Sequence, residues 1–536
     1  MTRLTGRALS LLTALAMVGT LFVGAPAPVY AADPAVTYYV AQTGEPDGDG
    51  SSCADPDFVG GDTAPIASAV DLATNGDTIY ICAGTYAIET TILFGGELLT
   101  LQGAGRGVTI LDGGSTFNAE GANNGDGRQI LTSSTALTVS GLTFHGGYSS
   151  TQGGAITATT VTATNSTFTG NRSGLGGAIT ATTVTATNST FTDNSASFLG
   201  GAIYATTVTA TNSTFTGNRT SLGGAISATT VTATNSTFTD NRSGVGGAID
   251  ADTATVTNST FTGNSASVGG AILAITVIAT SSNFNRNSGG AIDATTATVS
   301  DSRFIGNTSG DDGGAFRATT ATVSNSTFIG NTADDDSGAI RAYAATVSNS
   351  TFTGNIAGDD GGAIFVDTTA TVTNSTFTGN VATYGGAISA YTTTASSSTF
   401  TNNGADYGGA IYVSTTTTVT NSAFSSNSST QEGGAILAET GTVASSRFTR
   451  NTSGTHGGAI FFYLPAQTDL SLMRRNTFSR NTAAAGGAIS LGPCIVPSRS
   501  EAARVERANR FSGNRATEQR RTNNIERFDI GGCTGG

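Results

Sequence analysis

The chain has 536 residues, a formal net charge of −13 and no lysine, so all 24 of its basic residues are arginines. An acidic protein of this kind is not expected to bind nucleic acid, because the phosphate backbone would repel it. A chain of this length usually forms several domains, but an array of stacked repeats lengthens without needing a new core.

The first 32 residues have the pattern of a secretory signal peptide. Arg3 and Arg7 precede an apolar run from Ala8 to Val23, and the small-residue site Val29-Tyr30-Ala31 follows it. We expect a mature protein that is secreted or exposed at the cell surface. No other apolar stretch is long enough to cross a bilayer as a helix, and we find no anchor sequence.

Residues 33–112 are predicted to form an N-terminal cap with entry coils, and residues 113–490 form the repeat region. Two signatures recur there about every 24 residues: Gly-Gly-Ala-Ile, first at Gly153 to Ile156, and Phe-x-x-Asn, as at Phe168 to Asn171. Between them, small or apolar residues alternate with threonine, which is the period of a β-strand. These patterns predict an all-β solenoid of about fifteen or more coils.

Each signature has a predicted structural role. The isoleucines and phenylalanines point inward, and the glycine pair allows positive φ at a tight corner. The asparagine that ends each Phe-x-x-Asn tolerates the left-handed conformation, and stacked asparagine amides can hydrogen-bond from coil to coil.

The alternation of Gly-Gly-Ala-Ile with Phe-x-x-Asn resembles the polymorphic outer membrane protein repeat of chlamydial surface proteins. That resemblance implies a right-handed parallel β-helix, a surface location and an adhesive role. The segments Tyr38-Tyr39-Val40, Gly76 to Ile79 and Leu99 to Asp112 are similar to the entry coils of pectin-lyase-like β-helices. There the resemblance implies that Ile66 to Ala73 is a short helix that caps the first coil.

Threonine fills three outward columns at eight, six and four residues before each core phenylalanine. They begin Thr160, Thr183, Thr207; Thr162, Thr185, Thr209; and Thr164, Thr187, Thr211. This hydroxyl lattice resembles the threonine arrays of β-solenoid antifreeze proteins, so ice binding is one hypothesis. The alternative is that threonine is simply favoured on exposed strands.

An acidic stack precedes three successive glycine pairs. Asp311, Asp312, Asp335, Asp336, Asp359 and Asp360 recur at one-coil steps, and like charges about 5 Å apart repel. A calcium ion would relieve this repulsion with oxygen ligands, so we name these six residues as a candidate metal site. Splaying of the carboxylates into water would relieve it as well.

A third group combines aromatic rings with carboxylates in the later coils. Its members are predicted to face outward together, and they are Tyr343, Phe365, Asp367, Tyr391, Tyr412, Glu439, Phe461 and Tyr463. Such a surface suits sugar stacking with hydrogen bonding, whereas isolated exposed aromatics are the alternative interpretation. The partners it suggests are glycans or other molecules of a host or cell surface.

Catalysis has weak support. Polysaccharide lyases need a strong base beside calcium, and this chain has no lysine. Asp250 and Asp252 share one outward face at a separation near that of paired glycosidase carboxylates, but neighbouring acids on a solvated strand are common. We therefore predict a non-enzymatic adhesin-like monomer, and the alternatives are a polysaccharide-binding or polysaccharide-cleaving protein and an ice-binding protein.

Residues 491–536 are predicted to form a basic C-terminal cap. From Ser471 onward there are 11 arginines and five acids, a balance of +6, which would suit either a solvated cap or contact with an anionic polymer or lipid. Because a solenoid holds its ends apart, the four cysteines predict two local disulfides, Cys53–Cys82 and Cys494–Cys533.

Overall fold

The computed structural model describes residues 35–44, 50–115, 127–463, 472–492, 499–517 and 525–527, without the side chains of 499–502 and 525–527. The predicted signal peptide, Cys494 and Cys533 lie outside the described residues. The chain from Val36 onward forms one compact unit. The proposed domain boundaries at 32, 112 and 490 stay predictions.

The unit is a right-handed parallel β-solenoid of about 16 turns, as the repeat predicts. Its two long sheets and a short third one run along the stack. Sheet 1 consists of Thr37–Ala41, Phe58–Val59, Thr78–Ile81, Ile92–Phe94, Leu99–Gly103, Leu131–Ser133, Ala136–Ser140, Ile156–Thr157, Thr160–Thr164, Ile179–Thr180, Thr183–Thr187, Ile203–Thr211, Ile226–Thr234, Ile249–Thr257, Ile272–Thr280, Ile292–Ser300, Phe316–Ser324, Ile340–Ser348, Ile364–Thr373, Ile388–Ser396, Ile411–Thr420, Ile436–Ala444, Ile460–Phe462, Ile489–Leu491 and Ile525–Arg527.

Sheet 2 carries the core phenylalanines. Its strands are Gly84–Ala87, Thr109–Asp112, Thr143–His145, Thr167–Thr169, Thr190–Thr192, Thr214–Thr216, Thr237–Thr239, Thr260–Thr262, Asn283–Asn285, Arg303–Ile305, Thr327–Ile329, Thr351–Thr353, Thr376–Thr378, Thr399–Thr401, Ala423–Ser425, Arg447–Thr449, Thr477–Ser479 and Arg510–Ser512.

Sheet 3 is interrupted into three parts. The first part is Tyr148–Gln152, Arg172–Leu175 and Ser195–Leu199, and the second is Thr308–Ser309 and Thr332–Ala333. The third part is Gly404–Ala405, Ser428–Ser429, Thr452–Ser453, Thr482–Ala483 and Arg515–Ala516.

The core is a set of stacked identical side chains. The corner isoleucines, such as Ile179 and Ile203, are fully buried. From Phe144 to Phe511 the core phenylalanine rings of successive coils stack with centroids 4.6 to 5.0 Å apart. Stacking at the strand spacing follows from the exact parallel register, because each ring is set above its equivalent in the coil before.

An asparagine ladder runs through the core. Asn171 Nδ2 donates to Asn194 Oδ1 at 2.9 Å and to Phe144 O at 3.0 Å, and the pattern repeats as far as Asn514. These asparagines do not adopt positive φ. The left-handed residues are instead the asparagine before each Ser-Thr-Phe, such as Asn188 (φ 49°), and the residue just before the ladder, such as Asp193. The predicted amide ladder is present, and the left-handed turn lies just before each amide enters the core.

A second ladder, of serines, was not predicted. The Ser189 hydroxyl accepts from Ser166 N at 3.2 Å and donates to Thr187 O at 2.9 Å. At the opposite corner, the first glycine of each pair has positive φ, for example Gly176 at 60°. A Cβ on the second glycine would clash with a carbonyl of the next coil, as at Gly224 against Gly247.

The N-terminal end matches the expectation from the entry coils. Helix α1 spans Ala64–Leu72 and buries Ile66, Ala69 and Val70, where the resemblance implied a helix from Ile66 to Ala73. The Cys53–Cys82 disulfide is confirmed, with Cα atoms 5.7 Å apart. A second helix, α2, spans Arg499–Ala508. In the described part of the chain, no helix combines the length and apolar character needed to span a membrane.

Candidate functional site

Two columns of side chains flank the Gly-Gly-Ala-Ile corner in the later coils. The first stands immediately before the glycine corner, and in successive coils it is Asp312, Asp336, Asp360, Tyr384, Tyr407, Glu432 and His456. The second stands immediately after the corner isoleucine or phenylalanine, and it is Arg317, Arg341, Phe365, Ser389, Tyr412, Leu437 and Phe461. We call the two columns together the acid–aromatic strip.

The predicted metal residues come together at the acidic end of this strip. Carboxylate oxygens of Asp311, Asp312 and Asp335 lie within 4.8 Å of one another, and so do those of Asp335, Asp336 and Asp359. The outer three residues, Asp311, Asp335 and Asp359, are exposed. Five of the six predicted ligands are therefore adjacent, and Asp335 belongs to both groups.

Arg341 balances part of this negative charge. Its Nε lies 3.6 Å from Asp312 Oδ2 and 3.9 Å from Asp336 Oδ2. Its Nη2 donates to Asp367 Oδ1 at 2.9 Å, and its guanidinium lies 4.4 Å from the centre of the Phe365 ring. Since an arginine already faces the inner carboxylates, the exposed outer ones are those that a cation such as Ca²⁺ would use.

The pKa values of the three inner carboxyl groups, those of Asp312, Asp336 and Asp360, are raised. Burial, together with the neighbouring Asp360 and Asp312, raises the pKa of Asp336 to about 7. Burial also raises the pKa of Asp312 against the opposing effect of Arg341, and that of Asp360 against the hydrogen bond from Ser389. Near neutral pH Asp336 is therefore partly protonated, which relieves like-charge repulsion in the stack without any ion.

The aromatic part of the strip begins where the acids end. The rings of Tyr384 and Tyr407 stack at 5.2 Å with planes 12° apart, and Tyr412 lies tilted against Tyr384 at 5.1 Å. Ser389 Oγ donates to Asp360 Oδ1 at 2.7 Å and so joins the acidic part to the aromatic part. The result is a half-buried ledge of three rings beside a carboxylate.

The eight predicted sugar-binding residues fall on two columns, not one. Phe365, Tyr412 and Phe461 belong to the strip, whereas Tyr343, Asp367, Tyr391, Glu439 and Tyr463 stand two residues farther along the chain. Tyr343 and Tyr391 are 55% and 56% exposed. Phe461 is 4% exposed, so the expectation that it presents a free outward ring was wrong; the His456 ring lies 5.8 Å away.

Sequence reasoning missed four residues that the strip depends on: Arg341, Tyr384, Ser389 and Tyr407. Tyr384 and Tyr407 stand where earlier coils have leucine or valine, for example Leu199 and Val245. Aligning the residue before each glycine pair would have revealed this change of chemistry along a single column.

The threonine columns occupy sheet 1 in unbroken register over nine coils, from Thr160–Thr164 to Ile340–Ser348. Thr207, Thr209 and Thr211 pair with Thr230, Thr232 and Thr234, and these pair with Thr253, Thr255 and Thr257. Nine-residue strands continue in register from Ile203–Thr211 to Ile340–Ser348, with Ile278 and Ala344 as breaks in the threonine pattern. Bulges appear only from Ile364–Thr373 onward.

Two protein-family models match the chain. Residues 128–276 match the right handed beta helix region, and residues 349–367, 374–391, 397–414 and 421–439 match the Chlamydia polymorphic membrane protein repeat. Four short stretches of the chain are therefore similar to the polymorphic membrane protein repeat. The aromatic ledge lies within these matches, since Tyr384, Tyr407 and Tyr412 fall in the second and third of the four polymorphic membrane protein repeats.

Among solved structures, the chain is similar to the PL6-family alginate lyase AlyGC, at 12% identity over 87% of this chain and 98% of that chain, with a TM-score of 0.26. An arginine-to-alanine mutant of the same enzyme matches at 10% identity over 86% and 89%, with a TM-score of 0.30. No match in sequence is found among curated proteins.

Proposed function

We propose that the protein is an exported, non-enzymatic, adhesin-like β-helix that binds extracellular glycans through the acid–aromatic strip. The polymorphic membrane protein repeats support a role at the cell surface, and the signal-peptide pattern supports export. The solenoid displays the strip along successive coils, which suits a chain-like ligand.

The ledge formed by Tyr384, Tyr407 and Tyr412 carries this proposal. Tyrosine combines an apolar ring face with a polar hydroxyl, so it can contact the C–H face of a sugar and hydrogen-bond to its hydroxyls. Asp360 stands beside these rings and offers an acceptor for sugar hydroxyls. A mostly apolar surface with a few convergent polar groups is the usual pattern of a small-molecule site.

Glycan-array binding of the purified protein, with and without calcium, tests the proposal, and fractionation of cells and medium tests export. We expect Tyr412→Ala to weaken glycan binding by at least about tenfold, the loss of one desolvated anchor. The matched control is Tyr204→Ala, because Tyr204 stands at the same place after the corner isoleucine but in an earlier coil without the ledge. Silence of the intact protein on the array, or equal losses in both variants, would contradict the proposal.

Incubating the protein with a polysaccharide that it binds on the array, and then measuring new chain ends, tests for cleavage. Release of new chain ends from a bound polysaccharide would show that the protein is an enzyme and would overturn the non-enzymatic part of the proposal.

Ice binding is a second candidate because of the threonine register. Over the nine coils without a bulge, neighbouring hydroxyls recur about every 4.8 Å across strands and about 6.7 Å along them. A regular, flat hydroxyl array of this size is what a lattice-matching surface requires.

A further inference from the structure

Five arginines gather on sheet 2 in the last three coils. Arg447 and Arg510 point outward from strands two steps apart, with Thr477 between them in register. Arg450 and Arg480 follow these strands one coil apart, and Arg475 precedes the middle one. We call this set, Arg447, Arg450, Arg475, Arg480 and Arg510, the C-terminal arginine patch.

The patch has no internal partner in the described part of the chain. All five side chains are exposed, and among the described residues no carboxylate pairs with any of them. Strand spacing places Arg450 and Arg480 only about 4.8 Å apart along the stack, so like charges are held close together without compensation. A multivalent anion would supply the negative charge that the described residues do not place beside the patch.

Three of the five arginines occupy backbone positions that disfavour them. Arg450, Arg475 and Arg480 have φ of 57°, 58° and 57°, a left-handed conformation that is uncommon for a long side chain. Other coils place glycine or asparagine at these positions, for example Gly354 and Asn374. Backbone strain at a cluster of charged residues suggests that the cluster has a function.

We propose that the C-terminal arginine patch binds an anionic polysaccharide through its carboxylate or sulfate groups. Arginine forms bidentate, charge-assisted hydrogen bonds with such oxyanions. The residues between the arginines are hydroxylic, since Thr449, Thr477 and Ser479 line the same strands. Hydroxyls suit sugar rings, whereas a membrane-binding surface would place apolar side chains among the arginines.

This site is separate from the acid–aromatic strip. The strip flanks the glycine corner of sheet 1, whereas the patch lies on sheet 2 and its adjoining turns. Binding of a polyanion therefore should not depend on Tyr412, and the Tyr412→Ala variant should retain it.

Binding of the purified protein to immobilised heparin and polygalacturonate tests the proposal, with neutral dextran as the reference. The repeat itself supplies replacements that fit the fold: Arg447→Thr, Arg450→Gly, Arg475→Asn, Arg480→Gly and Arg510→Thr. We expect this quintuple variant to fold normally, to lose at least about tenfold in affinity and to show a shallower dependence on salt, because fewer counterions are released.

A matched pair of variants controls for net charge. Arg480→Gly with Arg510→Thr removes two charges from the patch, and Arg286→Gly with Arg303→Thr removes two exposed charges from the equivalent positions of earlier coils. We expect a loss of affinity in the first pair only.

Three results would overturn the proposal. The first is a quintuple variant that binds both polysaccharides as the unaltered protein does. The second is no binding to either polysaccharide at about 0.15 M salt. The third is equal or tighter binding to phosphatidylglycerol vesicles or duplex DNA, which would make the partner a membrane or a nucleic acid.

Discussion

The hydroxyl of Ser389 donates a 2.7 Å hydrogen bond to Oδ1 of Asp360. This bond joins the two columns of the acid–aromatic strip across the glycine corner. It also connects coils, because Asp360 precedes one corner and Ser389 follows the next. The acidic and aromatic parts of the strip therefore form one surface, and substitutions of the aspartates should alter the packing of the tyrosines.

Protonation of Asp336 should make the protein more stable in mild acid. Its pKa is raised from 3.8 to about 7 in the folded state, so the folded protein binds the proton more tightly than the unfolded chain. This stabilisation is complete below the unfolded pKa and is lost as pH rises through about 7. We expect the melting temperature to fall between pH 5 and pH 8.

Asp336→Asn should raise the melting temperature at pH 8 by about 1–3 °C and flatten its pH dependence. Differential scanning calorimetry at several pH values measures both effects. Asp334→Asn, at an exposed neighbouring position, is the control. An unchanged pH profile in Asp336→Asn would show that this carboxyl does not carry the effect.

Calcium should bind the exposed carboxylates if the predicted metal site is real. Asp335 contributes to both groups of clustered oxygens, so Asp335→Asn should abolish binding, whereas Asp334→Asn should leave most of it. Isothermal titration calorimetry with CaCl₂ measures the affinity. If no heat is measured and a chelator leaves the melting temperature unchanged, calcium does not bind. Arg341 and the bound protons are then what compensates the charge of the carboxylates.

Breaking the asparagine ladder should be costly. Asn264 Nδ2 donates to Asn287 Oδ1 and Phe238 O, and its Oδ1 accepts from Asn241. Asn264→Ala leaves these buried groups without a partner, at a cost of about 2–4 kcal/mol. Chemical denaturation measures the loss. Asn258→Gly, at an exposed left-handed position of the same coil, should change stability little.

Thr393→Val should stabilise the protein. Thr393 is fully buried, and its hydroxyl has no hydrogen-bond partner among the described residues. Its equivalent in the preceding coil is Ala370 and in the following coil Thr417, whose buried hydroxyl also has no hydrogen-bond partner among the described residues. Removing an unsatisfied hydroxyl while keeping the shape should gain about 1 kcal/mol. The half-buried neighbour Thr394, changed to valine, should give no comparable gain; equal effects would argue against the explanation.

Ice binding predicts thermal hysteresis and shaped ice crystals at micromolar protein. Thr232→Tyr, in the middle of the regular lattice, should abolish both by breaking its flatness. Thr418→Tyr, in the bulged coils, should not. Ordinary freezing behaviour of the unaltered protein would remove this candidate.

The repeating part of the fold was predictable because every coil has the same residue types at the same buried positions. Ile179, Phe191 and Asn194 recur so regularly that their burial and stacking follow from the period alone. The two asparagines of a coil could not be distinguished in this way, because asparagine tolerates a left-handed backbone at either position. Only the structure shows that Asn188 turns the chain while Asn194 is buried.

The candidate site was predictable only in part. The acids stood out because they interrupt a monotonous sequence, and their clustering follows from the one-coil period. An alignment of the residues before the glycine pairs would have revealed Tyr384 and Tyr407, but their contact with Tyr412 depends on how the chain turns at the glycines. Arg341 was missed for a similar reason, since two of its acid partners, Asp312 and Asp336, lie on the other side of that corner.

The second glycine of each pair makes the coils interchangeable. Because a side chain there would collide with the coil above, as Gly224 shows, every interface has the same close spacing and nearly the same contacts. Adjacent, nearly identical coils such as those of Val184 and Val208 could be lost or duplicated by slippage in the gene while the remaining ones still stack. Each such event would move the strip by about 4.8 Å relative to the N-terminal end, so the distance at which the protein presents its binding surface can evolve without any change in that surface.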